Sequence, residues 1–94
     1  MIRHVVMWKF KEGSEAEAQA FLTALSELKG VIPEVLDMEI GTSALSCNSH
    51  TAVLRVDFED VAALDRYRVD PRHVAVAAMC REIALERADV DYEI

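Results

Sequence analysis

Ninety-four residues suffice for one domain, and a formal net charge of −7 argues against binding to nucleic acid or to an anionic membrane surface. No apolar run approaches the roughly 20 residues that a membrane helix needs, and Met1–Phe10 lacks the apolar core of a secretory signal, so we expect a single cytoplasmic domain over residues 1–94. Hydrophobic residues form 52% of the chain, more than so small a core requires, and this surplus favours a surface for self-association.

The first predicted element is a strand over Ile2–Lys11, because apolar side chains recur at every second position. One face of this strand consists of Ile2, His4, Val6, Trp8 and Phe10. The other face is mixed, with Val5 and Met7 between charged ends. A strand that is apolar on both sides at its centre is usually covered on both sides, here by the chain's own helices and by a second subunit.

A turn at Glu12–Ser14 precedes the first predicted helix, which extends to about Lys29 and is ended by Gly30. Ser14 followed three residues later by Glu17 has the pattern of a capping box, and this pattern predicts the start of the helix. The predicted buried stripe recurs at helical spacing and consists of Ala18, Phe21, Leu22, Leu25 and Leu28.

Two further strands are predicted over Leu36–Ile40 and Thr51–Phe58, and a polar loop over residues 42–50 separates them. In the first of these strands the inward-facing residues are predicted to be Leu36, Met38 and Ile40. In the second, one face consists of Ala52, Leu54, Val56 and Phe58, and the other of Thr51, Val53, Arg55 and Asp57.

The next stretch predicts two helices, a short one over Glu59–Tyr67 and a longer one over Pro71–Leu85. Asp60 and Asp70 are the predicted N-caps, and a proline suits the first turn of the second helix. The inward stripe of that helix consists of His73, Val76, Ala77, Cys80 and either Ile83 or Ala84.

A last strand is predicted over Glu86–Ile94, so the element order is strand, helix, strand, strand, broken helix, strand. Two split β-α-β units of this kind predict an α+β fold, with a ferredoxin-like antiparallel four-stranded sheet that has helices on one face. The bare sheet face would then contain Val5, Met7 and Val53. Pairing two such faces in a homodimer would bury these residues and form a dimeric α/β barrel.

The sequence contains no nucleotide-binding loop, nucleophile elbow or cysteine pair with metal-ligand spacing, so we expect neither a cofactor nor a metal. Cys47 and Cys80 are far apart in the sequence and are interpreted as reduced thiols. His4, His50 and His73 have no spacing that indicates a metal site.

Tyr67 and His73 lie on either side of the helix break and can face each other beside an apolar interior. An imidazole can remove a proton from a carbon between two carbonyls, and a phenol can donate a hydrogen bond to the developing oxyanion. Because His73 is in the first turn of a helix, where the dipole disfavours a cation, we predict that its pKa is lowered. In the alternative interpretation, both residues are structural parts of the helix ends.

Four segments together resemble the stress-responsive A/B barrel (Dabb) domain family: IRHVVMWKFK, IPEVLDMEIG, FEDVAALDRYRVDPRHVAV and DVDYEI. Their most specific features are the histidine in the first strand and the Y-x5-H spacing with a proline two residues before the histidine. The resemblance covers nearly the whole chain and implies a dimeric α+β barrel of the ferredoxin-like type.

The resemblance also implies an activity, since one plant member of the family is a polyketide cyclase that closes a poly-β-keto chain by aldol condensation. The catalytic residues implied in this chain are Tyr67, His73 and His4, and the implied pocket-lining residues are Trp8, Phe21, Leu22, Leu25 and Val76. The ligand implied is a small hydrophobic or polyketide-like carbonyl compound, and the enzyme is then cyclase-like or lyase-like.

This chain departs from the cyclase pattern at three positions. Asp70 replaces a histidine, and Leu22 and Leu25 stand where the cyclase has aromatic residues. The smaller leucines favour a cavity between the sheet and the helices. A densely packed interior would instead favour the alternative function, a non-catalytic, stress-associated assembly protein.

Overall fold

The computed structural model describes all 94 residues and contains four strands and three helices. The elements are β1 (Ile2–Phe10), α1 (Glu15–Ser26), β2 (Asp37–Gly41), β3 (Ala52–Phe58), α2 (Val61–Val69), α3 (Pro71–Ala78) and β4 (Ala84–Glu93). All strand pairs are antiparallel, and the strand order is β2-β3-β1-β4. The ferredoxin-like fold predicted from the sequence is therefore confirmed. None of the helices has the length and apolarity that crossing a membrane requires.

The central strand β1 separates the two faces of the sheet. Its residue His4 pairs with Val56 of β3 on one side and with Asp91 of β4 on the other, so these three side chains share the face toward the helices. Between this face and the helices lies the hydrophobic core, whose largest fully buried side chains are Tyr67, Phe21, Phe58, Ile32, Leu54, Val6 and Val56. The faces of β1 and β3 that the sequence predicts to be apolar are thus the ones that contribute to the core.

Two helices are shorter than the sequence pattern predicts. The helix α1 ends at Ser26, and turns follow as far as Gly30, whose φ of +84° suits a glycine because it has no Cβ. The helix α3 ends at Ala78 instead of Leu85, because β4 already begins at Ala84, where it pairs with β1. Pairing along the sheet satisfies the backbone groups that a longer helix would have used.

Two local predictions are wrong. The capping box of α1 is absent: Ser14 occupies the N-cap position, but its hydroxyl donates to the backbone carbonyl of Lys11 and accepts no bond from the helix. That bond closes the turn between β1 and α1. Leu36 is also not an inward-facing strand residue, because β2 begins one residue later and the Leu36 side chain is exposed.

The sheet face opposite the helices is bare. Its apolar part consists of Val5, Met7, Val53, Ala88, Val90 and Tyr92. Met7 is 38% exposed and Val53 37%, values high for apolar residues at the centre of a sheet. A contiguous apolar area of this kind is typical of a protein–protein interface.

The other end of the bare face carries a network of ion pairs centred on Asp57. This buried carboxylate accepts bonds of 2.8 and 3.0 Å from Arg3 and a bond of 2.8 Å from Arg55. Arg55 also donates to Asp37 over 3.0 Å. The hydrogen bond from Arg3 is the main cause that lowers the pKa of Asp57. The bare face therefore has an apolar end and a charged end.

The helix α2 depends on a side-chain cap, since the Asp60 carboxylate accepts a 2.8 Å bond from the backbone N–H of Ala63. We predict that Asp60→Ala lowers the free energy of unfolding by about 1 kcal/mol, because one N–H of the first turn loses its partner. Urea denaturation measures this change. Glu59→Ala is the matched control, since Glu59 is an exposed neighbour outside the cap. Equal losses in both variants would contradict a role for the cap.

Candidate active site between the sheet and the helices

A sharp break between α2 and α3 positions the two aromatic residues singled out by the sequence. Asp70 ends α2 in an extended conformation and caps α3, where its carboxylate accepts a 2.9 Å bond from the backbone N–H of Arg72. Pro71 occupies the first turn of α3. The break turns the chain so that the rings of Tyr67 and His73 lie in contact, with their centroids 4.2 Å apart.

Tyr67 is completely buried, with its ring against Phe58 and His73. Its hydroxyl group has no hydrogen-bond partner in the protein. Burial raises the pKa of Tyr67 to about 12, so the phenol is protonated at neutral pH and is a hydrogen-bond donor. An unpaired buried hydroxyl costs on the order of 1–3 kcal/mol, which marks Tyr67 as a functional candidate.

His73 is half-buried at the start of α3, and its Nδ1 lies 3.3 Å from the backbone carbonyl of Arg68. A carbonyl can only accept, so Nδ1 carries the proton and Nε2 is the free acceptor of the neutral ring. Burial is the main cause that lowers the pKa of His73, which keeps the ring neutral near pH 7. The direction of this shift agrees with the sequence prediction, but its leading cause is burial.

His4 is the second imidazole, and it is buried on β1. Its Nδ1 bonds to the carboxylate of Asp91 on the neighbouring strand β4, and Asp91 also accepts a bond from Arg68 of α2. A carboxylate at Nδ1 favours the tautomer with the proton on that nitrogen, which leaves Nε2 free. Asp91 therefore orients His4 and links the sheet to the helix that carries Tyr67.

A cavity of about 90 Å³ lies between these groups. Its wall includes His4, His73, Trp8, Phe21, Leu25 and Cys80, with Arg68 and Arg87 as further lining residues. The volume equals that of about three water molecules at roughly 30 Å³ each, well below the few hundred Å³ of most ligand pockets. At this size the cavity admits only a few heavy atoms, so the ligand pocket that the sequence predicts stays a prediction.

The predicted site residues do not all reach this cavity. His4, His73, Trp8, Phe21 and Leu25 line it, whereas Tyr67, Leu22 and Val76 do not. On α1, Phe21 and Leu25 are four residues apart and share a face, so Leu22 is rotated into the core instead. On α3, Ala77 lies four residues after His73 and lines the cavity in place of Val76, which packs against the core.

Three charged residues near the cavity were not identified from the sequence: Arg68, Arg87 and Asp91. The available signal was the strict alternation of β4, in which every second residue from Arg87 to Asp91 is charged. The alternation did not show which of the two faces of β4 is turned toward the helices. Only the pairing of β4 with β1 places the charged face there.

Trp8 contributes an unpaired donor to the same region. Its ring is buried against Phe21, with centroids 5.2 Å apart, and its Nε1–H has no hydrogen-bond partner in the protein. This N–H is thus a buried donor in a wall that also contains two imidazoles whose Nε2 atoms are acceptors, whereas the unpaired Tyr67 hydroxyl belongs to a residue outside the wall. The arrangement can polarise an oxygen atom and accept a proton.

A wider, open concavity of about 770 Å³ lies elsewhere, between the loop over residues 42–51 and the bare sheet face near Met7 and Val53. Its one titratable side chain is His50, which is 2.8 Å from the Ser49 hydroxyl. It contains no pair of groups arranged for proton transfer. Nowhere in the chain do three His, Cys, Asp or Glu side chains come close enough together to hold a metal ion.

Comparison with protein families shows that the model of the Stress Responsive A/B Barrel Domain matches residues 2–94. Among characterised proteins, the chain is similar to olivetolic acid cyclase from Cannabis sativa, with 27% identity over 95 residues that cover 97% of this chain and 94% of the cyclase. The match extends over both chains almost completely, so it includes every residue of the candidate site.

Among solved structures, the chain is similar to a dimeric protein of unknown function with a ferredoxin-like fold from Bacteroides fragilis. The TM-score is 0.90 at 23% identity, with 99% of this chain and 95% of the other covered. It is also similar to a hydroxynitrile lyase from Passiflora edulis, with a TM-score of 0.87, 18% identity and coverage of 99% and 92%. At these identities the two structures show a common fold.

The lowered pKa of His73 predicts a specific dependence of stability on pH. Below a pH of about 6.5, which is the ordinary pKa of histidine, His73 takes up a proton in the unfolded chain but stays neutral in the folded protein. Acid therefore favours the unfolded chain, so the free energy of unfolding is highest above this pH and falls on acidification. We predict that the free energy of unfolding of the wild type falls between pH 7.5 and pH 5.5, and that His73→Gln reduces this fall. Urea denaturation at both pH values measures it, with His50→Gln as the control. An equal fall in wild type and His73→Gln would contradict the buried neutral imidazole.

Proposed function

This chain belongs to the stress-responsive A/B barrel domain family, and from that premise we propose that it is an enzyme that removes a proton from a small carbonyl compound. The observation that carries the proposal is the pair of oriented imidazoles, His4 and His73, which line one cavity and each have a free Nε2 atom. The unpaired hydroxyl of Tyr67 in contact with His73 adds a donor.

In the proposed reaction, His73 is the general base. Its Nε2 takes a proton from the carbon next to the carbonyl, the C–H electron pair moves to the carbonyl oxygen, and an enolate forms. Tyr67 donates a hydrogen bond to that oxygen, which stabilises the developing negative charge. The enolate carbon then takes the proton back from the His73 imidazolium. Alternatively it attacks a second carbonyl, as in a cyclase, and the alkoxide formed takes that proton, which regenerates the neutral base.

Tyr67 can fulfil this role only if its hydroxyl reaches the cavity. The His73 ring lines the cavity and contacts Tyr67, and it is held by a long bond of 3.3 Å to a backbone carbonyl. We propose that this ring rotates on substrate binding and so exposes the Tyr67 hydroxyl to the cavity. His4, which Asp91 holds in place, is the residue that returns or shuttles the proton.

The size of the cavity limits the substrate. A volume of about 90 Å³ fits a short carbonyl compound and does not fit an extended polyketide chain without movement of the wall. The names of the relatives, a cyclase and a lyase, support an enzyme. The second candidate function, a non-catalytic assembly protein, is favoured by the same small volume and by the apolar bare face.

We also propose that the chain forms a homodimer through the bare sheet face. The exposed apolar side chains Met7, Val53 and Val90 lie together on that face, and the similar protein from Bacteroides fragilis is described as dimeric. Face-to-face packing of two such sheets would bury these side chains and leave the cavity of each subunit on the outer, helical side.

The proposed location is the cytoplasm. Cys47 is exposed and Cys80 is partly buried, and both are free thiols. Burial raises the pKa of Cys80, so its thiol is a poor nucleophile. Unpaired thiols of this kind are typical of proteins in reducing compartments.

The activity is tested by hydrogen–deuterium exchange at the carbon between the two carbonyls of methyl acetoacetate, followed by proton NMR in D₂O. We predict that the wild type accelerates this exchange and that His73→Gln lowers the acceleration by at least about 100-fold, the range of a lost general base. Tyr67→Phe lowers it by about 100-fold, since one donor to the oxyanion is lost.

The Tyr67→Phe variant also separates catalysis from structure. The hydroxyl has no partner to lose, so the free energy of unfolding stays equal or rises while the exchange rate falls. Tyr92→Phe and His50→Gln are the matched controls, because both residues lie outside the cavity. No acceleration by the wild type, or full acceleration by His73→Gln, would overturn the proposal and favour the assembly function.

The dimer is tested with Val53→Glu, which places a charge at the centre of the bare face. We predict a monomer by light scattering, since two such carboxylates would be buried against each other or against apolar side chains. Val61→Glu is the matched control, because Val61 is an exposed valine on α2. If Val53→Glu has the same mass as the wild type and the wild type is a dimer, a different surface forms the interface.

A further inference from the structure

The cavity carries two arginines among its lining residues, Arg68 from α2 and Arg87 from β4. Their side chains are 44% and 47% exposed, whereas those of the other wall residues His4, Trp8 and Phe21 are buried. The two guanidinium groups therefore stand at the mouth of the cavity. Each guanidinium is paired with an aspartate, Arg68 with Asp91 and Arg87 with Asp89, so the mouth carries cations and carboxylates side by side.

Arg87 is there because β4 turns its charged side toward the helices. In the antiparallel register, Arg87 lies opposite Trp8, and Asp91 lies opposite His4. Trp8 and His4 are β1 residues that point into the core region. An apolar residue opposite Trp8 would extend the hydrophobic wall and suit an alkyl chain. A guanidinium at that position suits a polar or anionic part of the ligand instead.

The two arginines differ in how firmly they are held. Arg68 donates to Asp91, which also binds His4, so it is part of the network that orients the imidazole. Arg87 has one bond of 2.8 Å, from its Nη1 to Asp89, between two exposed side chains. An exposed ion pair of this kind stabilises little, and the remaining N–H groups of Arg87 are free. Arg87 is thus the group available to an incoming anion.

We propose that the substrate is a short carbonyl compound with a carboxylate, such as a 3-oxo acid, and that Arg87, together with Arg68, binds the carboxylate at the mouth of the cavity. The keto end then occupies the enclosed part between His4 and His73. The planar guanidinium presents parallel N–H donors that match the two oxygens of a carboxylate. This inference rests on the proposed proton-transfer function and names the substrate class of that site.

The other groups around the cavity agree with an acceptor-rich ligand. The Nε1–H of Trp8 in the wall is a buried donor without a partner, and the two arginines supply donors only. Tyr67, which contacts His73 but does not line the cavity, has a second unpaired donor. The free Nε2 atoms of the imidazoles are the acceptors that receive a proton. A 3-oxo acid offers carbonyl and carboxylate oxygens to the donors and an acidic carbon to the bases.

The size of the cavity supports a division of the ligand into two parts. About 90 Å³ accepts the keto end alone, so the rest of the molecule has to extend to the mouth. A carboxylate one carbon beyond the acidic carbon is short enough to stay close to the protein there. Its charge remains partly hydrated at the exposed arginines, which avoids the cost of burying an ion.

The test compares acetoacetate with methyl acetoacetate, which share the keto group and the acidic carbon and differ in the charge of the carboxyl end. The half-saturating concentration in the deuterium-exchange assay is measured for each compound, so that their different intrinsic exchange rates do not enter. For the wild type we expect the value for acetoacetate to be about tenfold lower, the effect of one charge-assisted hydrogen-bonded contact. Added NaCl reduces this difference, because the arginines are exposed to solvent.

The variants Arg87→Gln and Arg87→Glu identify the residue that makes the difference. We expect Arg87→Gln to raise the half-saturating concentration of acetoacetate about tenfold and to bring the two compounds close together. Arg87→Glu reverses the preference toward the ester. Arg81→Gln is the matched control, since Arg81 is exposed and is not part of the cavity wall. Circular dichroism shows whether each variant keeps the fold.

Two outcomes overturn the inference in distinguishable ways. The carboxylate assignment is overturned if the wild type has equal half-saturating concentrations for the two compounds, or if the difference between them persists in Arg87→Gln. In both cases an accelerated exchange still supports the proposed function. If the wild type accelerates the exchange of neither compound, the proposed function is overturned, and so is the substrate class that rests on it.

Discussion

The break between α2 and α3 is the constraint on which the candidate site depends. In one continuous helix, the separation of six positions from Tyr67 to His73 would rotate the second side chain by roughly 240° from the first, after one full turn, so that the two would point in different directions. Pro71 cannot continue the α2 hydrogen-bond pattern, and Asp70 compensates by capping the new helix. The result is a contact between the rings with a centroid distance of 4.2 Å.

Asp91 connects this helical unit to the sheet. It binds the Nδ1 of His4 from the neighbouring strand, and it accepts from Arg68, the residue directly after Tyr67. The backbone carbonyl of Arg68 in turn lies near the Nδ1 of His73. Asp91 thus orients His4, and Arg68 connects the two imidazoles, because its side chain binds Asp91 and its backbone carbonyl accepts from His73.

The central strand β1 separates the two proposed roles of this small domain. Its inner face contributes His4 and Trp8 to the cavity, and its outer face contributes Met7 to the bare apolar surface. An assembly through the bare face therefore leaves the cavity mouth at Arg68 and Arg87 open to solvent. The charged face of β4 gives that mouth its polarity. Because β4 is an edge strand, no further strand in the sheet covers this side.

The sequence by itself determined the element order, the fold, both aspartate caps and the Tyr67–His73 pair, because alternation, helical spacing and proline act locally along the chain. Its two local errors, the capping box at Ser14 and the inward position of Leu36, arose where a turn or a strand end replaced the expected pattern. Tertiary structure alone decided the volume of the cavity, the rotation of Leu22 out of its wall and the face of β4 that carries Arg87. These features depend on the register between distant strands and on how side chains from separate elements pack, which no short stretch of sequence specifies.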